Sequence, residues 1–193
     1  MSEGSEQRFI AQHLERVAQA MAGIDASQVR HLAHAVDSTV TSGGHIYFMG
    51  NGGSATTATH YVNDLVMAYF RSGLTVRATS LADNAALVTG VANDYSYDDV
   101  FEAQLKAMAR EGDMAVAISA SGNSPNLVRA LEHANHSGLR TVAITGFDGG
   151  SLRFLAQLSV HVPTRVGDYG PTEDAHLVVN HALAAYLRSL HTA

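Results

Sequence analysis

Apolar positions recur at helical spacing over residues 6–22 and again over 26–42, separated by the short break AGIDASQ. Asp25 or Ser27 is the expected cap of the second helix. HIYFMG (45–50) then reads as a short buried strand punctuated by glycines, followed by a helical segment from about 54 to 70. A second strand is expected over 74–81, a short helix over 83–94 and another helix over 97–110. DMAVAISAS (113–121) is a strand; residues 123–138 form a helix with Pro125 in its first turn and Gly138 at its end. RTVAITG (140–146) and LSVHVP (158–163) are the remaining strands, and 172–191 is a long terminal helix. Strands alternate with helices, and several strands are apolar throughout. That pattern predicts an α/β fold, a three-layer α-β-α sandwich around a mainly parallel sheet, preceded by a helical pair. One domain is expected over 1–193, with the helical pair in 1–42 and the α/β core and terminal helix in 43–193.

Composition changes this picture little but removes several functions. With 46% hydrophobic and 16% charged residues the chain reads as folded and soluble. A formal charge of −6 and a single lysine, Lys106, argue against nucleic acid or an anionic membrane as partner. There are no cysteines, so disulfides, thiolate metal sites and cysteine nucleophiles are excluded, and a cytoplasmic location is expected. The N-terminus is polar and acidic where a signal peptide is basic and then apolar, and no apolar run approaches the ~20 residues that span a bilayer.

Two loops carry candidate chemistry. GNGGSA (50–55) formally satisfies a dinucleotide pattern between strand and helix, but the next strand, RATSL, lacks the acidic residue that holds a ribose. No Gly-Lys-Ser/Thr occurs either. No nucleotide cofactor is therefore expected. What remains is a glycine turn that offers backbone N–H groups and Ser54 to an anion, or a purely structural turn. The second loop, SASGNSPN, places Ser119, Ser121 and Ser124 with Gly122 at a strand's carboxyl end, opening into a helix. Serines are common caps and turn formers, but three hydroxyls beside a second glycine loop suit a phosphate monoester without any basic residue.

The third feature is ionisable. His60 and Asp64 lie i,i+4 on one helix; Glu173 and His181 lie two turns apart on the terminal helix, roughly along one stripe, with His176 on another part of the surface. A carboxylate and an imidazole from each of two helices suit zinc or a similar divalent ion; the same groups also suit a general base and acid without metal. Eleven histidines are spread along the chain, and spacing alone does not bring these helices together.

The chain resembles the sugar isomerase (SIS) domains and, within them, the phosphoheptose isomerases. The resemblance rests on GNGGSA (50–55), His60, ANDY (92–95), DDVF (98–101), GD (112–113), ISASGNSPN (118–126), ITGFDGG (144–150), VP (162–163) and EDAH (173–176), in family order. It implies a five-stranded parallel sheet, a homotetramer with active sites at subunit interfaces, and one zinc ion per subunit. It assigns Ser119, Ala120, Ser121 and Ser124 to the phosphate loop, and Asn51, Gly52, Gly53, Ser54 and Asp94 to the sugar. His60 aligns with a zinc ligand and His181 with the acid/base histidine that also binds zinc. Asp64 stands where the family has a glutamate, the base and metal ligand; Glu173 stands where a glutamine is usual. The family's arginine is replaced by Ala68, with Arg71 nearby, and an aspartate by Gly170, with Asp168 nearby.

These features imply aldose–ketose isomerisation of a long-chain sugar phosphate, sedoheptulose 7-phosphate by default, through an enediol. Asp64 and His181 are the catalytic pair, and His60, Asp64, Glu173 and His181 the metal ligands. An octulose phosphate is the alternative substrate, and a non-catalytic module binding a phosphosugar or a protein the alternative function.

Overall fold

The computed structural model describes residues 3–191. Helices α1 (Glu3–Ala22) and α2 (Ala26–Thr41) open the chain. The Asp25 carboxylate caps α2 by accepting from the Ser27 N–H at 2.8 Å. The α/β core follows as β1 (His45–Gly50), α3 (Gly53–Tyr69), β2 (Arg77–Ser80), α4 (Ala85–Asp94), a 3-10 turn (Tyr97–Asp99) and α5 (Glu102–Met108). Then come β3 (Met114–Ser119), α6 (Pro125–His136), β4 (Arg140–Thr145), α7 (Gly150–Leu155), β5 (Leu158–His161) and α8 (Tyr169–His191).

All neighbouring strands pair parallel, in the order β2-β1-β3-β4-β5. The side-chain period of two divides the core. Ile46, Phe48, Val116, Ile118, Val142 and Ile144 pack under α2, α3 and α8. Tyr47, Met49, Ala115, Ala117 and Ala143 face the other way, toward α5, α6 and α7. The alanines on that face let α6 lie close, through Leu127, Ala130, Leu131 and Ala134 at helical spacing. On the opposite face α8 buries Val179, Leu183 and Leu187, each burial contributing roughly 1.5–3 kcal/mol. The Tyr61 hydroxyl, fully buried, donates to the His176 carbonyl at 3.0 Å and fixes α3 to α8.

Two expectations are corrected and one element is added. The strand expected over 74–81 shrinks to four residues, because β2 is an edge strand whose ladder with β1 runs only from His45–Arg77 to Phe48–Ser80. The single helix expected over 97–110 is broken: the Ser96 hydroxyl accepts from the Asp98 N–H, setting a 3-10 turn, and Val100 and Phe101 dive into the core before α5 begins. The six-residue α7 was not anticipated, being too short to show a period. Among the described residues no helix is long and apolar enough to cross a membrane.

Candidate active site

In this strand order the direction of winding reverses between β1 and β3, and open parallel sheets bind ligands outside the carboxyl ends of the strands at that point. Both candidate loops leave the sheet there. Asn51, Ser54, Ile118, Ser119, Ala120, Ser121, Ser124, Tyr169 and Glu173 line a cavity of about 170 Å³ between them. The helices that open from these loops, α3 and α6, have no side-chain cap, whereas α2 and α4 are capped by Asp25 and Asn84. An uncapped N-terminus aimed at a hydroxyl-lined cavity favours an anion. The Ser119 hydroxyl accepts from the Gly122 N–H at 3.1 Å, closing the serine loop. Gly122 has φ of +66°, and a Cβ there would collide with the Gly149 carbonyl, so this tight turn requires glycine.

The ionisable residues form a second group on α3 and α8, the two helices that also reach the cavity through Ser54 and Glu173. Asp64 Oδ2 lies 3.3 Å from His60 Nε2 and 3.7 Å from His181 Nε2, and the two imidazole rings meet edge to face at 5.2 Å. Ligand atoms of all three lie within 4.8 Å of one another. Two atoms bonded at 2.0–2.1 Å to one tetrahedral zinc ion are separated by about 3.3 Å, the spacing of Asp64 and His60, and small side-chain movements would bring His181 to it. Both oxygens of Asp64 are held from outside: Asn180 donates to Oδ2 at 2.7 Å and Asn63 to Oδ1 at 2.9 Å.

Glu173 does not join this group. Eight residues before His181, it lies about 12 Å away along α8 and ~80° around it, so the two side chains leave the helix in different directions. Its carboxylate packs instead against Gly53, at the start of α3, where a Cβ would meet it. Burial, then repulsion from Asp174, raises its pKa above the ordinary carboxylate range. Of the four residues expected around a metal, three come together and Glu173 lies on the cavity wall.

Other expected residues stand apart from the cavity. Gly52 is the exposed turn residue with φ of +54°. Asp94 is exposed at the end of α4, where Asn93 donates to it at 2.8 Å. Ala68 is buried, and Arg71 lines a different pocket with Met67, Arg188 and His191 at the far ends of α3 and α8. Asp168 pairs with Arg16 of α1 at 3.5 Å, and Gly170 lies against the His13 ring. His176 is fully buried, not at the surface.

Sequence reasoning missed Asn180, Asn126, Tyr97 and Tyr169. Asn126 and Asn180 are 1% exposed, and a buried asparagine is the signal each offered, since burying an amide is costly unless it is hydrogen-bonded.

Sequence and fold are both similar to those of known proteins. The SIS domain profile matches residues 8–146. The chain is 34% identical to a probable phosphoheptose isomerase of Thermoplasma acidophilum over 91% of its length and 95% of the relative's. It is 37% identical to a phosphoheptose isomerase of Paramagnetospirillum magneticum, covering 90% of this chain and 89% of that one. The solved phosphoheptose isomerase of Neisseria gonorrhoeae superposes with a TM-score of 0.85 at 28% identity, over 95% of this chain and 98% of that one. The chain belongs to the SIS domain family, on its phosphoheptose isomerase branch.

Proposed function

We propose that this chain is an aldose–ketose isomerase of a phosphorylated long-chain sugar, converting sedoheptulose 7-phosphate to a heptose 7-phosphate. The observation that carries this reading is the pairing of a hydroxyl-lined cavity with the His60–Asp64–His181 group on the same two helices. The names of the phosphoheptose isomerase relatives support the same substrate class.

Ser119, Ser121 and Ser124, with the N-termini of α3 and α6, anchor the phosphate and remove most of the positional freedom of the chain. Asp64 takes the proton from the carbon next to the carbonyl, and the electron pair left behind forms the cis-enediol. His181 moves a proton between O1 and O2, and Asp64 returns its proton to the neighbouring carbon. Aspartate is one methylene shorter than glutamate, and the Asn63 and Asn180 hydrogen bonds hold its carboxylate in place. His60, Asp64 and His181 would hold a zinc ion, one per subunit. When bound, such an ion supplies Lewis-acid polarisation of the substrate carbonyl.

The cavity is smaller than the roughly 300–1,000 Å³ typical of ligand pockets. Phe9, Ile10 and Leu14 leave an apolar stripe exposed on α1. Both support association with further copies of the chain, so that neighbouring subunits complete each site; the homotetramer is the assembly we propose.

The test is an NMR assay of sedoheptulose 7-phosphate and an octulose phosphate in deuterated buffer, after chelation and after adding zinc. The expected result is exchange of the C1 proton and formation of aldose, strongest with zinc. Binding of these sugars with no exchange in either condition would establish a non-catalytic module instead.

A further inference from the structure

Beside the cavity, two asparagine amides face each other. Asn51 Nδ2 donates to Asn126 Oδ1 at 2.9 Å, and Asn126 Nδ2 donates to Asn51 Oδ1 at 2.9 Å. The Tyr97 hydroxyl adds a second hydrogen bond to Asn51 Oδ1, again at 2.9 Å. An amide oxygen accepts two hydrogen bonds and an amide nitrogen donates two. The oxygen of Asn51 is therefore saturated, and a single N–H is left on the residue that lines the cavity.

Three chain segments meet in this arrangement. Asn51 lies in the turn after β1, Asn126 in the first turn of α6, and Tyr97 in the 3-10 turn three residues beyond Asp94. Asn126 is almost wholly buried, while Tyr97 stands half in solvent. Apolar side chains would fill the space beneath Asn51 without leaving any polar group to satisfy. An amide there does what they cannot: it sets which end of the Asn51 amide faces the ligand.

From this geometry we infer that Tyr97 and Asn126 are positioning residues, which orient the Asn51 amide so that it offers one N–H to a sugar oxygen. Through the same bond Tyr97 ties the segment carrying Asp94 to the turn after β1. Asn51 thus selects for an oxygen acceptor on the sugar, and the phosphate, held by the serine loop, is insensitive to it. The inference deepens the isomerase reading and rests on it.

Tyr97→Phe removes only the hydroxyl of a half-exposed ring, so folding is not at stake. Titration calorimetry should show sedoheptulose 7-phosphate binding roughly three- to tenfold more weakly, the loss of one hydrogen bond, with inorganic phosphate binding unchanged. In turnover the change should fall on KM more than on kcat. Asn126→Asp, which keeps the acceptor for Asn51 Nδ2 but loses the donor to Oδ1, should weaken the sugar phosphate at least as much. The deciding arm is the double variant: on an Asn51→Ala background Tyr97→Phe should have no further effect. Equal sugar binding by Tyr97→Phe and the unmodified chain, or a full effect without Asn51, overturns the inference and leaves the isomerase reading standing. An unmodified chain that binds inorganic phosphate but neither binds nor converts the sugar phosphate overturns both.

Discussion

Asn180 of α8 donates to the Asp64 carboxylate of α3 across 2.7 Å, from a position 1% exposed to solvent. The contact joins the two helices that carry the proposed reacting groups, and the same oxygen of Asp64 faces His60 and His181.

Removing this donor with Asn180→Ala leaves Asp64 Oδ2 without its buried partner. Outer partners of metal-ligating side chains typically carry 10–100-fold in affinity or activity, so kcat/KM should fall by roughly that factor. Zinc affinity, read by competition with a chromophoric chelator, should fall in parallel. Asn63→Ala touches the other oxygen from an exposed position and should cost less in both measurements.

Why Glu173 stands apart from the cluster of His60, Asp64 and His181 is a matter of helix register. An i,i+4 pair such as His60 and Asp64 shares a face whatever the helix packs against, so that part was legible in the sequence. The serine loop was legible too, because a uniformly apolar strand such as β3 can end in three hydroxyls only at its exposed carboxyl edge. Glu173 and His181 are eight residues apart, and α8 crosses enough of α3 for each to meet a different turn of it. Glu173 meets Gly53 at the start, and His181 meets Asp64 more than two turns later. Tyr97 was hidden for a related reason: its partner Asn51 is 46 residues away, and no local pattern announces a hydrogen bond of that range.

Glu173 on the cavity wall carries its own consequence. Its pKa is raised by burial and by Asp174, so the carboxyl keeps its proton at higher pH in the folded chain than in the unfolded one. The contribution to stability is thus largest in acid and is lost as pH rises through the raised value. Once ionised, the carboxylate also repels a phosphate in the same cavity. Glu173→Gln should bind inorganic phosphate several-fold more tightly at neutral pH, with the two proteins converging in acid, where the glutamate is protonated. Calorimetric titrations across that range check it; a constant ratio at all pH values would mean that the carboxylate does not reach the phosphate.

His176 should make the acid side of the stability profile steep. The ring is fully buried and neither nitrogen has a hydrogen-bond partner. Burial therefore lowers its pKa to about 4; the Thr145 backbone opposes this only in part, and His161 adds repulsion. A lowered histidine pKa means that the unfolded chain takes up the proton first, starting near its ordinary value of 6.5. Stability from this group is complete above that value and is lost as pH falls toward about 4, a total of about 3 kcal/mol. Urea unfolding near neutrality and at two acid pH values should show the loss in the unmodified protein. His176→Leu removes both orphaned nitrogens, so it should unfold at higher urea at neutral pH and lose most of the acid slope. Some slope should survive, because His161 is also lowered by burial and shifts stability in the same direction. An unchanged acid slope in His176→Leu would assign the whole effect to His161 and the carboxylates.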